Sequence, residues 1–408
     1  MSRFRQQRLI EIGPYGAFFL AFAVCAAACS SNSEPQAGEA AAGSAGGPGA
    51  GSAGGPAMPP GGVSGSVAAG NGGTTSGAAN SAGTTNAAGT TAGGTSAGAS
   101  AGGGAGGAGA PSGGAPTADP NKRKLLLRDE GNSAVHYVDL ADTSKNWHQT
   151  VPVGRDLQLI GGRRFLVGTE NGYQERSLDD GAVTKDVTTY PGTLAAHRLH
   201  NGNTLLSGVD FHGGKGIVLV EVTPQGSIGR QIEYPGTYAR MVREAGDGHF
   251  LITADTHVFE GDAAGKVVWE VPVQGGPAAP HAWEALRLAG GDVLVSTGYA
   301  ASLEIFGADK SLKQTITGGE GVKPNYFADV QVMPGGSFVV ANWQGHGVGL
   351  GSNGLQLVEY DAAGKLIWSW KQDASFVSSL QQLVVLDGLD LEKLTVENPL
   401  TGVLEAVN

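Results

Sequence analysis

Asp262-Ala263-Ala264-Gly265-Lys266-Val267-Val268-Trp269 comes back, nearly letter for letter, as Asp361-Ala362-Ala363-Gly364-Lys365-Leu366-Ile367-Trp368. Each copy is a polar turn followed by a short apolar run that ends on a tryptophan. Two such copies point to a repeat architecture, and the period has to be found before any single motif is read. Five tight-turn signals supply it: Gly161-Gly162, Asn201-Gly202, Asp247-Gly248, Gly290-Gly291 and Gly335-Gly336. Their second glycines lie 40 to 46 residues apart, and a sixth turn, Asp387-Gly388, follows. That spacing is the length of one four-stranded propeller blade.

The contents of each repeat agree. An apolar run precedes each turn, as in Leu157-Gln158-Leu159-Ile160 and Val330-Gln331-Val332-Met333, and another follows it, as in Phe250-Leu251-Ile252. A third run, such as Ile217-Val218-Leu219-Val220, precedes the polar turn and the tryptophan strand. Runs of β-branched and aromatic residues between Gly, Asn and Asp turns are strands, and none here has helix length. The first repeat, Lys124 to Val153, lacks an inner strand; Leu380 to Leu386 at the far end of the chain is a spare one. Pairing the two closes the ring and leaves no open sheet edge. The predicted fold is an all-β propeller of four-stranded blades closed by the C-terminal strand. Six blades are expected. A seventh, built in part from the leftover tail Leu391 to Asn408, is the alternative.

Outside residues 120–408 the composition changes. Between Ser31 and Ala118 there is no Leu, Ile, Phe, Tyr or Trp. Such a stretch cannot bury enough apolar surface to offset an ordering entropy of about 1–2 kcal/mol per residue. Residues 29–119 therefore read as a disordered Gly/Ala/Ser/Thr-rich linker, with a mean reach of about 50 Å. Residues 1–28 read as a signal peptide. Arg3, Arg5 and Arg8 make a basic start, Ala17 to Val24 is an apolar run too short for a bilayer span, and Ala26-Ala27-Ala28 precedes Cys29. The stretch resembles a lipoprotein signal, which implies a lipid on Cys29 and an address at the outer membrane or cell surface. Ordinary cleavage after Ala28, giving a secreted or periplasmic protein, is the alternative.

Cys25 and Cys29 are the only cysteines, so residues 120–408 have no disulfide and no thiolate metal site. A net charge of -11 argues against a nucleic-acid partner. The only expected membrane contact is the lipid anchor. The ligand or partner is left open among a small molecule, a carbohydrate and an envelope protein.

The Asp-x-x-Gly-x-x-x-Trp units at 262–269 and 361–368 resemble the docking repeat of quinoprotein-like propellers, in which the Trp packs on the next blade. His200-Asn201-Gly202-Asn203-Thr204-Leu205-Leu206 resembles a turn of arylsulfotransferase-like propellers. The first resemblance implies a quinone held near adjacent cysteines; none is present, and no cofactor or metal is expected. The second implies a histidine nucleophile at the start of an inner strand, where Leu194 stands.

Propeller ligands sit over the central channel, beside the loops that lead into the inner strands. Arg155, Asp156, His197, Arg240 and His281 fall there, as do Glu284, Asn325, Asp329 and Gln381. Such a set could bind an anion or do acid–base work, or could fill the channel with mutually hydrogen-bonded polar groups. His281, beside Trp283, is the best single candidate. His346 lies in the glycine-rich insertion Asn342 to Gly349, and His136, inside a strand, is read as structural. The ligand-binding candidates are thus His197, Arg240, His281, Glu284, Asp329 and His346. The expected function is a tethered ligand- or partner-binding module at the cell envelope. An arylsulfotransferase-like or lyase-like enzyme using a histidine at the channel mouth is the alternative. Convergence of two or more of His197, Arg240, His281 and His346 on one point would favour the enzyme.

Overall fold

The computed structural model describes residues 119–275 and 279–407. The export signal, Cys29, the linker, and Gly276 and Pro277 of the loop before His281 lie outside the described residues.

Six four-stranded antiparallel sheets form the blades. Apart from three short 3-10 turns, the described elements are strands. Blade 1 takes its inner strand, Leu380–Val385, from the C-terminal part of the chain. Its other three strands are Lys124–Asp129, Ala134–Asp139 and Trp147–Thr150. Leu125, Leu126 and Leu127 pair with Val385, Val384 and Leu383, and all six are buried. The closure expected from the missing strand is therefore what joins the ring. The inner strands of blades 2 to 6 are Leu157–Gly161, Ala195–Arg198, Val242–Gly246, Glu284–Arg287 and Tyr326–Val332.

The repeated turn units dock blade on blade. The Asp262 carboxylate accepts from the amides of Ala264 and Lys266, and Asp361 does the same with Ala363 and Lys365. Gly265 and Gly364 take φ +83°, which a side chain would strain. The Trp269 indole donates to the Ala308 carbonyl of blade 5 at 3.3 Å, and Arg123, at the start of blade 1, lies 4.5 Å over Trp368. Trp147 of blade 1 stacks on Phe165 of blade 2.

The tail adds no seventh blade. After Asp387-Gly388 it forms a two-stranded hairpin, Thr395–Glu397 with Leu404–Ala406. The hairpin lies against the ends of inner strands: Leu394 bridges Ile160 and Val403 bridges Val332. A Cβ on Gly402 would stand 2.6 Å from the Arg287 carbonyl oxygen, so only glycine passes there. Two short strands cannot make a blade, but they cover the exit end of the channel.

Candidate functional site

The channel holds a closed network centred on Arg243. Its Nη1 and Nη2 donate to the two oxygens of Asp156 at 3.0 and 3.1 Å. Nη2 also lies 2.7 Å from Glu284, and Nε lies 3.0 Å from Glu397 of the tail hairpin. His197 stands between acids, with Nε2 3.0 Å from Glu397 and Nδ1 3.4 Å from Asp156. Asp156 takes φ +88°, an unfavourable backbone held in place by the carboxylate's partners. Asp329 accepts from the Leu383 amide at 2.7 Å, and Glu284 from the Val330 amide at 3.1 Å.

The electrostatics follow from burial and pairing. Burial alone would push the His197 imidazolium down; Glu397 and Asp156 outweigh it and hold its pKa at about 9. Burial would raise Glu397, but His197 and Arg243 hold its carboxyl well below the usual range. Burial and the neighbouring Glu284 carboxylate push the Asp329 carboxyl well above the usual carboxylate range. Nearby, the buried guanidinium of Arg128 donates to the carbonyls of Asp156, Gly168 and Pro152. Between the network and the hairpin a cavity of about 20 Å³ remains, little more than one water needs.

His197, Glu284 and Asp329, expected at the mouth, are therefore components of this interior network. Asn325 is exposed and links strands of blade 6, through the Asn342 side chain and the Trp343 carbonyl.

The opposite, entrance end is different. A cavity of about 230 Å³ lies there, lined by Arg155, Glu130, Glu170, Thr193 and Gln381 among others. Beside it, two guanidiniums share one indole: Arg155 lies 5.8 Å and Arg240 5.0 Å from the Trp283 ring centroid. Arg240 also lies over Tyr238 and Tyr326. Tyr326 packs edge-on against Trp283, Tyr299 and Trp343, which gives the guanidiniums an aromatic floor. Neither arginine forms an ion pair among the described residues, and the buried Nε of Arg240 has no hydrogen-bond partner. Burial and the nearby charge of Arg240 both lower the Arg155 pKa. Backbone packing fixes the Arg155 loop: a Cβ on Gly168 would lie 1.8 Å from the Arg155 carbonyl oxygen.

The remaining candidates sit on this end's flank. His281 Nδ1 lies 2.6 Å from Asp255, and its ring meets Tyr299 edge-on. His346, 75% exposed, contacts Glu130 at 2.6 Å and packs on Trp343, whose indole donates to the same carboxylate at 2.7 Å. His281 and His346 are each held by a different acid, and His197 belongs to the network. The structure thus brings together Arg155, Arg240 and Trp283, with Gln381 at the adjoining cavity. Among the described residues no cluster of His, Cys, Asp and Glu could hold a metal ion.

Sequence reasoning missed Arg243, Glu397 and Glu130. Arg243 had a weak signal, an arginine directly after the first residue of the inner strand Val242–Gly246. Glu397 had none, because the tail carries no repeat signature.

Several solved structures are similar. A protein of unknown function from Bacteroides caccae matches with 20% identity and a TM-score of 0.53, over 64% of this chain and 98% of that one. A catalytically inactive virginiamycin B lyase from Staphylococcus aureus, with quinupristin, matches with 10% identity and a TM-score of 0.42, over 62% of this chain and 86% of that one. At such identities the likeness is one of fold alone. No protein-family model matches the chain, and no curated protein matches it.

Proposed function

We propose that this chain is an exported propeller, tethered to the membrane through Cys29, that binds a small ligand or an envelope partner at its entrance face. The observation that carries the reading is the contrast between the two ends of the channel. The exit end is covered by the hairpin and locked by Arg243, Glu397 and His197. The entrance end carries an open cavity beside two arginines that form no ion pair among the described residues, with Glu130 on the cavity wall as the acid that acts on Arg155. Burying a charge without a partner is costly, so a guanidinium pair of this kind is suited to meeting an acceptor brought by a ligand. The basic start, the apolar run and Cys29 support the export and tethering part of the reading.

A histidine enzyme is the second reading, favoured by one contact. The Asp255 carboxylate, 2.6 Å from His281 Nδ1, would fix the imidazole's orientation for acid–base work.

Two experiments test the main reading. Cys29→Ala should move the protein from the membrane fraction to the soluble one; unchanged membrane association rejects the tether. For binding, Val153 lines the entrance cavity and is 66% exposed, so Val153→Trp obstructs the cavity without disturbing the core. Ligands found by thermal shift in a panel of sugars, amino acids and nucleotides should lose binding in that variant. Ligands that bind equally well to it place the site elsewhere.

A further inference from the structure

The entrance face carries more chemical information than an open cavity alone. Arg155 and Arg240 lie over the same indole, and the indole N–H of Trp283 is buried with no acceptor among the described residues. Two charged groups and an indole N–H therefore meet here, and the buried Arg240 Nε and Trp283 Nε1 have no hydrogen-bond partner among the described residues. A guanidinium presents a planar fork that matches the two oxygens of a carboxylate.

The cavity beside this donor cluster carries acceptors as well as Arg155, and Glu130 acts on the Arg155 charge. Glu130 and Glu170 line the cavity together with Ser133, Thr193 and Gln381. Glu130 already accepts from Trp343 and contacts His346, so its carboxylate is held in place. Carboxylates accept from the hydroxyl groups of a ligand, and the Ser133 and Thr193 hydroxyls and the Gln381 amide can both accept and donate. The carboxylates also repel a second negative charge, which penalises a phosphate dianion more than a single carboxylate. The protein's net charge of -11 acts in the same direction.

From these donors and acceptors we infer that the entrance site takes a sugar acid. The carboxylate of a uronate-type residue lies between Arg155 and Arg240, and the sugar hydroxyls face Glu130, Glu170 and Gln381. The inference rests on the entrance-face reading above and names the ligand class that reading leaves open.

The test is calorimetric titration of the full chain with oligosaccharides of glucuronate, galacturonate and mannuronate, each beside its methyl ester. The ester keeps the ring and its hydroxyls and removes only the charge. At least one acid should bind, and its ester should bind tenfold or more weakly. Arg240→Gln should cost a similar factor at an unchanged melting temperature. Arg240→Lys, which keeps the charge and loses the fork, should fall between the two. Arg155→Gln serves as the independent variant if Arg240→Gln does not fold. The inference is overturned if no uronate binds, if acid and ester bind alike, or if both glutamine variants keep full affinity. A different ligand that binds and is displaced by Val153→Trp would sink the sugar acid while leaving the entrance-face reading intact.

Discussion

Glu397 meets Arg243 at 3.0 Å inside the channel, although one stands on the C-terminal hairpin and the other on the inner strand of blade 4. The tail is thereby part of the core electrostatics and not an appendage. Glu397→Gln removes the charge that helps to balance Arg243 and His197. Breaking a buried ion pair from one side costs about 3–5 kcal/mol, and Glu397 keeps some exposure, so the low end is expected. Calorimetric melting measures it. A variant that melts like the parent would mean that the hairpin contributes nothing to the network.

His197 gives the network a pH signature. Its pKa is about 9 in the folded chain, against about 6.5 when unfolded. A raised pKa in the folded state means that its stabilisation is complete below pH 6.5 and is lost as pH rises through 9. The difference corresponds to about 3 kcal/mol at most. Stability measured by urea unfolding should therefore fall between pH 6.5 and 8.5, and the slope should flatten in His197→Gln. Parallel slopes in the two proteins would show that the imidazole is not held charged.

Much of this architecture was legible in the chain. The spacing of Gly162, Gly202, Gly248, Gly291 and Gly336 reports a backbone period, and the spare strand at Leu380 reports closure, because both are local signals repeated along the sequence. The site was less legible. His197 and Arg240 both lie close to inner-strand starts, yet one points into the ion-pair network and the other stacks on Trp283. That division depends on Glu397, whose position comes from how the hairpin packs and not from any motif.

Ring closure predicts that the C-terminal strand is indispensable. Truncation before Ser378 strips Lys124–Asp129 of its partner strand and removes the buried Leu380, Leu383 and Val385. Loss of a cooperative transition, or aggregation through the exposed edge, is expected. Deleting residues 33–117, whose composition offers no core, should leave melting unchanged. A truncated domain that melts like the whole one contradicts the closure.

The docking role of the repeated tryptophan is separately testable. Trp269 is buried against blade 5 and donates to Ala308. Trp269→Ala should cost about 3 kcal/mol, the low end for emptying an aromatic site. Trp269→Phe should recover most of that cost, since it restores apolar volume and loses one hydrogen bond. If both variants melt alike and low, the indole N–H matters more than the packing.

The central claim is that Arg155 and Arg240 form the working face of this propeller. It is tested most directly by titrating the double variant Arg155→Gln/Arg240→Gln with whichever panel ligand binds the parent chain, alongside a melting curve of both proteins. Binding is expected to fall by at least a hundredfold, about 2.8 kcal/mol or more, while the melting temperature stays within a few degrees. Binding retained at full strength in that variant would contradict it.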